Sequence, residues 1–277
     1  MSARAHEVPE VVERYSPRMA KYFESWLRGY FAKNFDAVRL CRDTELSGEI
    51  GPELTGPGSR PVLVYSNHPS WWDPIHFLLL ARLAMPGRRM FGPFDAEALE
   101  QYGFFRRIGG FGIDAGTRRG AAEFLRTGRG ILAAPGTTLW ITAQGEFSDV
   151  RKRPVELRPG LAHLVRRLDR GYVIPLAVEY PFWNERHPQA LSCFGAPIEL
   201  DGAARTDGVD TWNARLEGAL ERTMDRLADA ARSRDPDRFR TLVLGRSGVG
   251  GVYDAWRRIK ARVRGETFDA SHMGDRR

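Results

Sequence analysis

Lysine is nearly missing from this chain of 277 residues. Only four of its 42 basic side chains are lysine and the rest are arginine. A skew of that kind follows genome base composition, so the arginine count alone carries no functional meaning. Cysteine is equally scarce: Cys41 and Cys193 stand far apart, which excludes a disulfide framework or a cysteine-based metal site and fits a reducing cytoplasm. Long apolar runs are absent too. The longest, Phe77 to Ala81, stops at Arg82, so no membrane-spanning helix is expected. The polar start, Met1 to Glu7, has no apolar stretch of signal-peptide type, and no leader is expected. No repeat or low-complexity segment occurs. No Gly-x-Ser-x-Gly elbow occurs either, which argues against a serine hydrolase.

What is present describes a soluble globular chain with 42% apolar and 28% charged residues, long enough to bury a substantial core. The net charge of +7 favours anionic partners such as a phospholipid surface, coenzyme A phosphates or an acyl carrier protein. Nucleic acid is not expected, because the basic residues are dispersed and no recognised module occurs. The segment Leu242 to Val252 imitates a strand followed by a phosphate-cradling loop. Gly251 and Val252 occupy the lysine and hydroxyl positions of that motif, so it reads as a glycine hinge. His76 follows Asp73 by three residues, but no cysteine or Glu-x-x-His spacing supports a metal set, and none is predicted.

Hydrophobic periodicity divides the chain into three parts. Residues 1–48 hold a loose tail (1–15) and an amphipathic helix opened by Ser16 and Pro17. Its stripe of Met19, Tyr22, Phe23, Trp26, Leu27, Tyr30 and Phe31 suits either a membrane interface or packing on a core. Residues 49–200 alternate short apolar runs with helical segments, which predicts an α/β core: a mostly parallel sheet flanked by helices. Strands are expected near 37–42, 61–66, 90–91, 113, 137–142 and 172–179, with an edge strand at 190–194. Helices are expected over 74–84, 96–105, 117–126 and 159–168. Residues 201–277 read as a helical extension packed on the same domain. A stripe of Trp212, Leu216, Leu220, Met224 and Leu227 lies within 210–232. A basic amphipathic segment over 252–264 fits an anionic bilayer or a solvated face.

The most informative stretch is Asn67-His68-Pro69-Ser70-Trp71-Trp72-Asp73, which leaves the strand at 61–66. Of six histidines only His68 has an aspartate five residues on. A carboxylate there can hold one ring nitrogen as N–H and leave the other free to take a proton from a hydroxyl. The same spacing also fits a histidine packed at a strand end beside a helix-capping aspartate.

Further blocks follow in order: Gly109 to Ala115, Thr142 to Phe147, and Val173-Ile174-Pro175 before Leu176-Ala177-Val178. With Asn67, His68, Ser70 and Asp73, these resemble the glycerolipid acyltransferases, typified by the bacterial lysophosphatidic acid acyltransferases, over about residues 60 to 180. The resemblance implies transfer of a fatty acyl group from acyl-CoA or acyl carrier protein, as co-substrate, to a lipid hydroxyl. His68 would be general base and Asp73 its partner, with no other cofactor, and Asn67, Ser70 and Pro175 would support the motif. It further implies a phospholipid-forming enzyme held peripherally on the inner face of the cytoplasmic membrane, with an anionic membrane surface and its two substrates as partners and no specific protein partner.

The family grips the acceptor's phosphate with arginines in its second and third blocks, but Ala115 and Phe147 stand there in this chain, and Gln144 replaces a glutamate. Arg118, Arg119, Arg151 and Arg153 are the nearby substitutes. Gln144, Gly145 and Glu146 are expected to line the acceptor and oxyanion site, with backbone N–H groups near Gly145 as donors. A silent lipid-binding relative and a thioester hydrolase are the alternatives.

Overall fold

The described residues of this computed structural model are 9–42, 60–202 and 206–245. In chain order they form α1 (Glu10–Arg14), α2 (Pro17–Asn34), β1 (Ala37–Cys41), β2 (Val62–Ser66), α3 (Asp73–Ala84), β3 (Arg89–Asp95) and α4 (Ala96–Gln101). A 3-10 turn (Gly103–Ile108) leads to β4 (Gly110–Ile113), α5 (Arg118–Ala133), β5 (Thr137–Thr142), α6 (Gly160–Val165), β6 (Gly171–Glu179), β7 (Gln189–Phe194) and β8 (Ile198–Leu200). The long α7 (Val209–Ser233) and β9 (Phe239–Leu244) follow.

One sheet runs β4-β3-β5-β2-β6-β7-β1-β9, with β8 also on β6. Strands β2 to β6 are mutually parallel; β7 turns antiparallel to β6, and β9 antiparallel to β1. The protein is thus α/β with a mostly parallel sheet. β2 is buried along its whole length, as a central parallel strand covered on both faces must be. Its alternate side chains divide between the faces. Val62 and Val64 pack with Phe77, Leu80 and Ala81 of α3, while Leu63 and Tyr65 join α5, α6 and α7. The Tyr65 hydroxyl donates to the Leu216 carbonyl at 2.9 Å, fixing α7 over the sheet. The whole Trp212 to Leu227 stripe is buried.

Pro175 lies inside a central strand, where proline normally removes a ladder bond. Its carbonyl accepts from Gly195 N–H at 2.8 Å, and its missing N–H falls at the changeover between the partners β8 and β7. No donor is needed there.

Several expectations are corrected. Residues 10–14 are helical rather than loose, because Val11 and Val12 bury into the main core. Ser16 N–H donates to the Arg107 carbonyl at 2.8 Å, which pins the junction. The strand at 190–194 is interior, between β6 and β1, not at an edge. The helix expected over 96–105 breaks after Gln101 into the 3-10 turn, which Gly109 ends at φ 107°. α5 runs on to Ala133 and α6 stops at Val165. The C-terminal part adds β9 to the sheet. Cys41 and Cys193, distant in sequence, are buried thiols on the neighbouring strands β1 and β7, and their hydrogen bond pushes the Cys41 thiol well up. Residues 47–59 of the Gly/Pro-rich loop, the hinge at 246–252 and the basic segment 252–264 lie outside the described residues.

Candidate active site

The carboxyl ends of β2, β5 and β6 meet at one edge of the sheet, where sites in parallel sheets gather. β2 delivers Asn67 and His68, β5 delivers Gln144 and Gly145, and β6 delivers Glu179 and Tyr180. Asn67 is buried, and its side chain continues the β2–β6 ladder beyond the last strand residue. Its Nδ2 donates to the Val178 carbonyl at 3.0 Å, and its Oδ1 accepts from Val178 N–H at 2.9 Å. The next residue is therefore aimed by two paired strands rather than by a free loop.

That residue, His68, is held on both backbone groups. Its N–H donates to Gln144 Oε1 at 2.8 Å, and its carbonyl accepts from Ser148 N–H at 2.9 Å. Its Nδ1 lies 2.6 Å from Asp73 Oδ2. Asp73 opens α3 with its side chain fully buried, whereas the His68 side chain is 17% exposed. Burial pushes the Asp73 carboxyl up from its ordinary range, and hydrogen bonds with His68 and Tyr180 pull it back. Asp73 Oδ2 also accepts from Ser70 N–H at 3.2 Å, and Oδ1 accepts from the Tyr180 hydroxyl at 2.7 Å. Ser70 Oγ accepts from Trp72 N–H at 3.3 Å, which closes the turn into α3. An ionised Asp73 takes the Nδ1 proton as its hydrogen bond, so Nε2 is the basic nitrogen. Nε2 has no protein partner among the described residues.

Behind the carboxylate the network runs on. His76 Nδ1 lies 3.2 Å from the Tyr180 oxygen, so His76 turns toward tyrosine and not toward His68. Burial lowers the His76 pKa to about 3 and raises the Tyr180 hydroxyl well above its usual range. A neutral imidazole donates to a neutral hydroxyl, which donates to Asp73.

The other predicted residues divide. Gln144 and Gly145 lie at the site but not as expected: the Gln144 oxygen is occupied by the backbone of His68, and Gly145 N–H donates to the Thr142 carbonyl at 3.2 Å. Gly145 therefore offers no N–H to an oxyanion. The N–H groups of Glu146 and Phe147 have no acceptor among the described residues. Gly145 sits at φ +70°, and a Cβ there would lie 2.8 Å from Arg158 Nε. Arg151 is clamped to Asp149 by bonds of 2.9 and 2.7 Å, and Arg153 pairs with Asp225 of α7 at 2.7 Å. Glu217, Glu221 and Asp225, four residues apart on α7, strap the whole segment: Glu217 and Glu221 accept from Leu157 and Val155 N–H at 3.0 and 2.6 Å. Arg118 and Arg119 are exposed beyond β4, three strands from β2, roughly 14 Å at ordinary strand spacing. They share the edge and do not touch His68.

Two residues were missed. Tyr180 lies 107 positions from Asp73, and only its place after the Val-Ile-Pro strand hinted at it. Arg158 lies across Gly145, is exposed and has no acid partner among the described residues. Phe147, 63% exposed, lies against the His68 ring with centroids 4.5 Å apart.

Compared with families of known proteins, residues 49–179 match the model described as Acyltransferase. No curated protein matches the chain.

Proposed function

Residues 49–179 belong to the acyltransferase family, and on that premise we propose that the enzyme moves a fatty acyl group from an acyl thioester to a lipid hydroxyl. The observation that carries the proposal is the 2.6 Å contact of His68 Nδ1 with an Asp73 that is wholly buried. His68 Nε2 takes the acceptor's proton as its oxygen attacks the thioester carbonyl, and Asp73 stabilises the imidazolium that forms. Collapse of the tetrahedral adduct breaks the carbon–sulfur bond, and the imidazolium returns the proton to the departing thiolate. Positioning of the two substrates and stabilisation of the oxyanion supply the remaining acceleration. The N–H groups of Glu146 and Phe147 are the proposed oxyanion donors.

Acyl-CoA or acyl carrier protein is the proposed donor, and a lysophospholipid or related lipid the acceptor. With phenylalanine at 147 and alanine at 115, the acceptor's anionic group falls to Arg158, whose stem crosses Gly145 beside the Gln144 that holds His68. The exposed Phe147 against the base favours an acceptor with an apolar part near its hydroxyl.

Purified protein given labelled acyl-CoA and a panel of lysolipids tests the reading. The parent forms acyl-lipid, and His68→Ala lowers the rate about 10²–10⁴-fold with an unchanged circular dichroism spectrum. Free fatty acid as the sole product indicates a hydrolase, and no turnover with any acceptor indicates a silent lipid-binding protein. A His68→Ala variant as fast as the parent ends the proposal.

A further inference from the structure

At the opposite edge of the sheet, α5 and α6 pack so closely that a Cβ on Gly128 would lie 3.2 Å from Leu164 Cδ2. This contact sets Arg129 of α5 beside the end of α6, where Arg166 caps the helix and Arg167 follows it in the turn. These three arginines and His163 line an open cavity of about 380 Å³.

No carboxylate among the described residues pairs with any of the four, and Arg166 Nε is buried with no hydrogen-bond partner among them. Several other surface arginines are held by an acid instead. Arg28 pairs with Glu24, Arg60 with Glu199, Arg151 with Asp149 and Arg153 with Asp225. Nor do the Arg166 and Arg167 side chains hydrogen-bond the last carbonyls of α6, the usual resting place for cations at a helix end. Like charges gathered without an acid repel one another, and an anion placed among them relieves that repulsion.

We infer that Arg129, His163, Arg166 and Arg167 form a binding site for a phosphomonoester or diphosphate group. Several guanidinium forks around one cavity match the tetrahedral, multiply charged oxygens of phosphate. The site is separate from the catalytic edge. It lies near the start of β6, whose Tyr172 pairs with Val62, whereas Leu176 pairs with the last residue of β2. Four residues of extended chain put roughly 13 Å between those levels, so a phosphate held here does not meet the reacting atoms. The group comes either from a soluble metabolite or from a phospholipid headgroup.

Titration calorimetry of the full chain with inorganic pyrophosphate, and flotation with vesicles containing phosphatidate against phosphatidylcholine alone, test the inference together. R166Q/R167Q is compared with R232Q/R240Q, which removes the same charge elsewhere, and R129Q serves as a second variant that spares α6. Pyrophosphate binding by the parent that weakens at least tenfold in R166Q/R167Q and in R129Q, but not in the control, supports a soluble ligand. Loss confined to phosphatidate vesicles supports a headgroup. No binding of either probe by the parent, or equal weakening in the control pair, overturns the site. Acyl transfer is not part of the readout, so the outcome is independent of the role given to His68.

Discussion

Asp73 accepts from three donors of different kinds: the imidazole of His68, the backbone of Ser70 and the hydroxyl of Tyr180. The backbone bond holds the carboxylate in place whatever side chains surround it. Tyr180 holds the oxygen that His68 does not use, and so fixes the rotation of the carboxylate about its stem. Tyr180→Phe removes that bond and leaves Oδ1 buried without a partner. A hydrogen bond to a charged group contributes about 1.5–3 kcal/mol, so kcat should fall about ten- to hundredfold with KM unchanged. The pH dependence gives the sharper check. Burial raises the Asp73 pKa and the Tyr180 bond opposes that rise, so its loss moves the carboxyl further up. Because Asp73 must be ionised to hold the Nδ1 proton, the acid limb of the kcat/KM profile moves to higher pH in the variant. A drop in kcat with an unmoved acid limb assigns Tyr180 to packing alone.

At the level of elements, α3 carries both ends of this network, Asp73 in its first turn and His76 three residues on. His76 is buried against the rings of Phe31 and Tyr180, each with centroids 5.7 Å away. Its pKa falls from 6.5 to about 3 on burial. A folded-state pKa below the unfolded one means that the unfolded chain takes up the proton first. The stability His76 supplies is therefore complete above pH 6.5 and drains away as pH falls from 6.5 toward 3, by about 1.4 kcal/mol per pH unit. His76→Asn keeps a donor for Tyr180 and cannot titrate. Urea unfolding at pH 7.5 and 4.5 should show the parent losing about 2–3 kcal/mol more than this variant; equal losses rule out the buried neutral imidazole.

The same element shows where sequence reading succeeds and where it stops. His68 and Asp73 were legible because a strand end and the next helix start lie within one loop, where spacing translates directly into contact. The parallel sheet was legible because β2 and β6 are apolar up to their last residues, Ser66 and Glu179. The interior place of β7 was hidden, since its neighbour β1 comes from some 150 residues earlier and β9 from beyond α7. Tyr180 and the Glu217, Glu221 and Asp225 strap were hidden for the same reason. Their partners meet only once β6 and α7 have packed, and those carboxylates use up Arg153, which nearness in sequence had offered to a ligand.

Across the whole molecule, the edge that carries His68 joins a band of stacked rings. Phe104 meets Phe23, Phe23 stacks on Trp26, Trp26 on Tyr30, and Tyr30 meets Trp72, which stacks on Trp71 in the His68 loop. One face of α2 is spent on the core through Ala20, Leu27 and Phe31, while Tyr22 and Trp26 are 75% and 47% exposed and Trp71 is 59% exposed. The two readings of that helix are therefore compatible, each belonging to a different face. No helix among the described residues is long and apolar enough to cross a membrane. Exposed tryptophan and tyrosine beside Arg18, Lys21 and Lys33 suit the headgroup layer instead. We propose that this band docks on a bilayer, an arrangement that would present His68 to acyl chains that never leave it. Replacing Tyr22 and Trp26 together by alanine removes two exposed rings without touching the buried face. At about 1.5–3 kcal/mol for burial of each large apolar side chain, retention on anionic vesicles should fall by at least about tenfold. Transfer to a short-chain, water-soluble acceptor should stay at the parent's rate, which separates lost docking from lost chemistry. If the double variant sediments with vesicles as well as the parent does, the band is not a membrane face.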